Sequence, residues 1–193
     1  MRIFNHTGIE ESARFYSGLG LVSKNVLTQS ESTNPEEKEM ANVKPIPEGY
    51  HSVTPYLIID GASAAIDFYK KAFGAIELFR MDHGGKVGHA ELKIGDSPIM
   101  LADQQPPDYV SPKALNGTPV SLMIYVEDVD TIYNRAIGEG GVEMKALQDQ
   151  FYGDRSGTLK DPFGHIWTVA THKEDVTPEE MEKRIAAAHG ASA

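Results

Sequence analysis

Thr54–Gly74, TPYLIIDGASAAIDFYKKAFG, decides the fold of this chain. Tyr56-Leu57-Ile58-Ile59 is a short apolar run with two β-branched residues, the composition of a partly buried strand. Asp60-Gly61 breaks it, and the period then changes. Ala65, Phe68, Tyr69, Ala72 and Phe73 recur along one face of a helix, with Asp67, Lys70 and Lys71 on the other. Gly74 stands where a helix ends in a residue of positive φ. The pattern returns in Met123-Ile124-Tyr125-Val126, followed by Val129, Ile132, Tyr133, Ala136 and Ile137, with Gly138 in the place of Gly74. A strand–helix unit that occurs twice is an internal repeat, and it governs the reading of everything around it.

Each unit is followed by strand candidates. In the first half these are Ile76–Met81, Val87–Ile94 and Pro98–Ala102, the first two separated by Asp82-His83-Gly84-Gly85 and the last two by Gly95-Asp96, both turn signals. In the second half they are Val142–Leu147, Gln150–Lys160 and, after the turn Asp161-Pro162-Phe163-Gly164, His165–Ala170. Each half reads βαβββ. The fold class expected is α+β, two such modules at about 50–103 and 118–172 within a domain over 50–174, joined by the proline-rich stretch 104–119. Phe68, Tyr69, Ile132 and Tyr133 are core positions, and Trp167 should pack under the helices.

Residues 1–49 form an N-terminal extension. Ser12, Phe15, Tyr16 and Leu19 echo the helix faintly, as in a truncated module. Residues 28–49 are polar and rich in Ser, Glu and Pro, the composition of a linker. Met40 offers an alternative initiation site. Thr177-Pro178-Glu179-Glu180 is a capping box that opens a C-terminal helix through Ala188, within a tail over 175–193. Met181 and Ile185 give that helix a narrow stripe with which to dock.

The chain has 193 residues, a formal charge of −10 and no cysteine. Disulfides, thiolate nucleophiles and cysteine-based metal sites are excluded. The acidic balance argues against nucleic acid and anionic membrane as partners. No apolar run reaches the length of a membrane span, and no signal-peptide core opens the sequence, so a cytoplasmic location is expected.

The paired modules, with IDFYKKAFG (66–74) after the first strand and KDPFGHIW (160–167) before the last, resemble the vicinal-oxygen-chelate superfamily. That group includes glyoxalase I, bleomycin-resistance proteins, fosfomycin-resistance enzymes and extradiol dioxygenases. GHAELKIGDSPIMLAD (88–103), YGDRSGTLKDPFGHIWTVATH (152–172) and the TPEEM tail (177–181) resemble its PhnB-like branch. The resemblance covers about residues 50–186 and implies sheets that curl around a cleft, usually in a homodimer or a paired monomer. In its metalloenzymes a divalent ion is held from the first and fourth strands, which here puts Thr54, Met100, Ser121 and Thr168 at the ligand positions. Hydroxyls and a thioether are poor ligands for such an ion.

The resemblance therefore implies a binding protein without metal or other cofactor, holding an aromatic or otherwise planar organic molecule in the cleft. The alternative is a lyase, isomerase or dioxygenase that uses zinc, nickel or iron on displaced ligands such as His51, His89 and Glu91. A third reading gives the terminal segments a role in assembly with a partner. Strand alternation aims Thr54, Tyr56, Ile58, Met100 and Ala102 at the cleft, together with Ser121, Met123, Tyr125, Ile166, Thr168 and Ala170. His89, Glu91 and Lys93 share one face of their strand, either as its wet side or as ligand contacts. Arg155 is a candidate to grip a carboxylate or phosphate, or else a structural partner of Asp154. His165 belongs to the turn before the last strand, and His172 should lie on the surface beyond it.

Overall fold

A computed structural model describes residues 43–190, with residues 44 onward in one compact unit. The module-like echo and most of the expected linker lie outside the described residues. Strand β1 (Tyr56–Ile59) leads into helix α1 (Ala62–Phe73), then β2 (Ile76–His83), β3 (Lys86–Ile94) and β4 (Ser97–Asp103). A one-turn helix, α2 (Pro112–Leu115), interrupts the connection, capped by the Ser111 side chain. The second module follows with β5 (Ser121–Tyr125), α3 (Val129–Gly138), β6 (Val142–Asp149), β7 (Asp154–Lys160) and β8 (Ile166–His172), and α4 (Pro178–Gly190) ends the fold. The sheets run β1-β4-β3-β2 and β5-β8-β7-β6, with β1·β4 and β5·β8 parallel and the other pairs antiparallel. In each module the helix crosses over from the first strand to the second, which lies at the opposite edge of the sheet, and the fourth strand then inserts beside the first.

The helices enter in different ways. Gly61, the N-cap of α1, sits at φ 90° and offers no side chain. The carboxylate of Asp103, at the end of β4, accepts the Gly61 and Ala62 N–H groups instead, at 3.1 and 2.9 Å. In the second module Thr171 Oγ1 receives the Val129 N–H at 3.0 Å and donates to the Val126 carbonyl. A partner from the neighbouring strand thus satisfies donors that open the helix.

One face of each sheet is covered by its helix, and α1 lies against α3. Ile59, Ile66, Tyr69, Leu92, Leu101, Leu159, Trp167 and Val169 are all at most 1% exposed. Each such large apolar side chain contributes about 1.5–3 kcal/mol by leaving water. The modules meet through Tyr69, Phe73 and Trp167, with ring centroids 4.9–6.1 Å apart. Arg135 of α3 donates to the Ala72 carbonyl at the end of α1.

Three departures from the sequence reading bear on the site and its setting. β7 begins at Asp154, because Gln150–Gly153 make a tight turn closed by Gly153 N–H to Gln150 O at 3.1 Å. Gly153, at φ 100°, also lies where a Cβ would fall 2.2 Å from the Glu174 carbonyl. The C-terminal helix runs to Gly190, and of the expected stripe Met181 is half-buried. Ile185 is exposed, whereas Arg184 donates to both carboxylate oxygens of Glu174 and to the Phe151 carbonyl. In the third, β2 carries a bulge at Leu78: Glu77 faces Leu92 but Phe79 faces Glu91. That extra residue puts Ile76, Phe79 and Met81 together on the face that α1 leaves open.

Candidate functional site

The open face of the first sheet is built row by row from its register. Phe79 pairs with Glu91, Glu91 with Met100, and Met100 with Tyr56, so these four side chains run across β2, β3, β4 and β1. His89 lies two residues along on the same face, opposite Met81. Tyr50, just before β1, reaches over and donates its hydroxyl to Glu91 Oε2. Glu91 Oε1 meets His89 Nε2 at 3.2 Å, and His89 Nδ1 meets the Tyr56 hydroxyl at 2.9 Å. The order Tyr50–Glu91–His89–Tyr56 is therefore one continuous hydrogen-bonded chain.

Its polarity follows from the chemistry of the groups. An ionised carboxylate only accepts, so the His89 ring nitrogen facing Glu91 carries the proton. With a single proton on the ring, the other nitrogen accepts from Tyr56. The two donors hold Glu91 below the usual carboxylate range, the Tyr50 bond first and the His89 bond second. That same bond to Glu91 pushes the Tyr50 phenol up to about 12. Burial, with some help from Tyr109, raises Tyr56. Tyr56 nevertheless stays 47% exposed. It forms one wall of a cavity of about 310 Å³ shared with Ile58, Gly88, Ala102, Asp103, Gln105 and Tyr109.

The second module wires its tyrosine differently. Tyr125 donates to Asp154 Oδ2 at 3.0 Å, and Asp154 Oδ1 bonds His172 Nδ1 at 2.8 Å. His172 Nε2 reaches Asp175 at 3.0 Å. Those two carboxylates raise His172, Asp154 foremost, and the Asp154 bond raises Tyr125. His172 is the last residue of β8 and half-exposed, as a surface position requires. On the same face Met123 pairs with Thr168 and Thr168 with Thr158, whose hydroxyls meet at 3.0 Å.

Tyr56, His89, Glu91 and Met100 thus gather in the first module, and Ser121, Met123, Tyr125 and Thr168 share a face in the second, while Thr54 precedes β1 with its hydroxyl 3.4 Å from the His51 carbonyl. Tyr56 and Tyr125 line different cavities rather than one cleft. Ala102, expected at the cleft, lines the smaller cavity beside Tyr56 though little of it is exposed, and Ala170 is buried. Arg155 must be corrected. It pairs with Thr171 on the helix-covered face, while Asp154, Ser156 and Thr158 take the open one. Its guanidinium grips both carboxylate oxygens of Asp130 in α3, at 2.7 and 2.9 Å, and also Asp149 at 3.2 Å. Strand parity, not chemistry, removes it from the site, and Asp154 is not its partner. His165 is buried under the turn, its Nε2 without a hydrogen-bond partner among the described residues.

A second and larger space, about 980 Å³, runs between the modules past His51, Ile99, Tyr125 and Trp167. Its side-chain hydroxyls are already engaged, Ser97 with Asp96 and Thr131 with Asp128. A divalent ion fits none of this. The donors at the positions implied for it are three hydroxyls and a thioether, and the Thr168 hydroxyl is taken by Thr158. Among the described residues no three His, Asp or Glu side chains converge. His89 and Glu91 face each other instead. Tyr50 was not among the expected site residues, because it precedes the strand and shares no period with it. Nor was the Phe79 position legible without the bulge.

Comparison with known proteins agrees with the architecture. The family model described as "Glyoxalase/Bleomycin resistance protein/Dioxygenase superfamily" matches residues 49–169. The uncharacterized protein Rv0887c of Mycobacterium tuberculosis is 40% identical over 136 residues, covering 68% of this chain and 80% of its own. The crystal structure of TioX from Micromonospora sp. is 26% identical and superposes with a TM-score of 0.52, over 66% of this chain and all of that one. The PhnB protein from Bacillus cereus, at 22% identity and a TM-score of 0.50, shares the fold over 63% of this chain and 99% of its own.

Proposed function

The chain belongs to the glyoxalase/bleomycin resistance protein/dioxygenase superfamily, and we propose that it binds a planar, aromatic organic molecule on the open face of its first sheet without a metal ion. The observation that carries this reading is the half-exposed Tyr56 ring. It is tilted against His89 at 5.6 Å between centroids, with Phe79 6.1 Å from His89 on the other side. Three rings and Met100 make an adaptable apolar floor, and the adjoining 310 Å³ lies at the small end of known ligand pockets. The inter-module space is larger, but the hydroxyls that line it, of Ser97, Tyr125 and Thr131, are already engaged. A second copy packed over Ile76, Phe79 and Met81, as in the homodimer the resemblance implies, would close this face from solvent.

Calorimetric titration of planar aromatic compounds, with and without EDTA, tests the reading against wild type and Tyr56→Ala. Chelation should change nothing, and Tyr56→Ala should weaken binding roughly two- to tenfold from lost ring contact. Equal binding by the folded variant would move the site elsewhere, and binding abolished by EDTA would favour the metal-dependent alternative.

A further inference from the structure

Resting on the binding reading above, the Tyr50–Glu91–His89–Tyr56 chain points to a ligand with a particular group. We propose that the first module takes up a weakly acidic hydroxyl compound, a phenol or enol, and binds it as its anion by relaying the proton to His89. The geometry carries the argument. Tyr56 donates to His89 Nδ1 at 2.9 Å, so its oxygen turns lone pairs, not its proton, toward the cavity. The group best matched to that oxygen is a hydroxyl that donates. A ligand O–H can pass its proton to the Tyr56 oxygen while the tyrosine's own proton moves to His89 Nδ1. The O–H bond of the ligand and the original O–H bond of Tyr56 break, and one new O–H and one N–H form. The ligand becomes an oxyanion that accepts from the re-formed Tyr56 hydroxyl. His89 becomes an imidazolium facing Glu91 at 3.2 Å.

The surrounding charges select this class over a ready-made anion. The groups facing the relay are Tyr50, Glu91 and Lys93, with Tyr109 and Asp103 at the cavity. Glu91 is held ionised by Tyr50 and His89, and the chain carries −10 overall. A carboxylate or phosphate would enter against that field. A neutral hydroxyl enters without charge, and its anion appears only as His89 becomes a cation beside it. The logic is that of a nucleophile–base–orienter triad, in which the acid fixes the tautomer and steadies the imidazolium. Here the phenol meets the ligand, and His89 and Glu91 act through it. Tyr125 has no such relay, because it donates directly to Asp154.

The test uses 4-nitrophenol, whose phenolate absorbs in the visible, and 4-nitroanisole, which has the same ring and no proton to give. Calorimetry with 4-nitroanisole reads binding alone. Absorbance of 4-nitrophenol at saturating protein reads its ionisation against pH. In wild type the bound phenol should ionise at least about one pH unit below the free one, the size a neighbouring cation produces. Tyr56→Phe and His89→Gln, each checked by circular dichroism, should abolish that shift. If wild type binds both compounds but leaves the phenol unshifted, the relay is wrong and the binding reading stands. A shift that survives both substitutions also overturns it. Failure to bind either compound removes both.

Discussion

The hydroxyl of Tyr69, on α1 of the first module, donates to Asp161 of the second at 2.7 Å. Asp161 is buried in the turn before β8 and takes three further donors: Trp167 Nε1 and the N–H groups of Phe163 and His165. Burial, followed by the carboxylate, pushes Tyr69 well above the ordinary tyrosine value. Each half of the repeat therefore completes the other, and the two should unfold together.

Removing that one hydroxyl leaves the carboxylate short of a donor in a dry interior. Tyr69→Phe should cost about 1.5–3 kcal/mol, as for a hydrogen bond to a charged group. Asp161→Asn should cost more, since it turns an amide N–H toward groups that already donate. Urea denaturation followed by tryptophan fluorescence and circular dichroism would check both. Two separate transitions in wild type would contradict the coupling.

Gly157 in β7 is needed for space rather than for conformation. A Cβ there would lie 2.6 Å from Cε2 of Tyr133, whose hydroxyl passes on to Glu143 and the Lys145 carbonyl. Gly157→Ala should destabilise by about 1–3 kcal/mol through overpacking. Adding Tyr133→Leu should make the pair clearly less than additive. Full additivity would mean the ring is not what the methyl meets.

His172 makes stability depend on pH. Its bonds to Asp154 and Asp175 favour the imidazolium, so its folded value lies above the ordinary 6.5. The contribution is therefore whole below about pH 6.5 and is lost as pH rises through the raised value. The difference in urea midpoint between wild type and His172→Gln should be larger at pH 6 than at pH 8. Because His172 is half-exposed, salt should shrink that difference. An advantage that grows with pH would reverse the assignment.

Deleting residues 1–44 should leave a folded domain. The compact unit begins at Lys44, and Tyr50, which reaches Glu91, is retained. Thermal unfolding of the shortened chain should stay cooperative. Loss of the transition would make the Phe15-Tyr16 segment part of the core.

The repeat was legible because period and composition change together at Gly61 and again at Val129, and burial of Tyr69, Tyr133 and Trp167 followed from the same faces. What escaped depends on single residues out of period. Leu78 shifts the phase of β2, and Tyr50 sits before its strand. Arg155 is misplaced when its chemistry is weighed ahead of its phase: four residues before Leu159, the partner of Trp167, it falls on the helix-covered face. The pairing of His89 with Glu91 could be foreseen from their shared face. The opposite wiring of Tyr56 and Tyr125 could not, since it depends on which strand supplies the neighbour.

The sheet order leaves β1, β2, β5 and β6 as edges, and Ile76, Leu78, Phe79, Met81, Val142 and Met144 on two of them are exposed. Such edges invite pairing with another chain. Two are kept to 4 and 5 residues, one preceded directly by Pro55 and the other beginning two residues after Pro119, and a proline cannot donate to a ladder. The other two break register, β2 at Leu78 and β6 around Met144 and again before Gln148. Resistance to aggregation is thus built into register more than into charge. Deleting Leu78 would straighten β2 into a long flat apolar border, the shape from which strand-to-strand association starts.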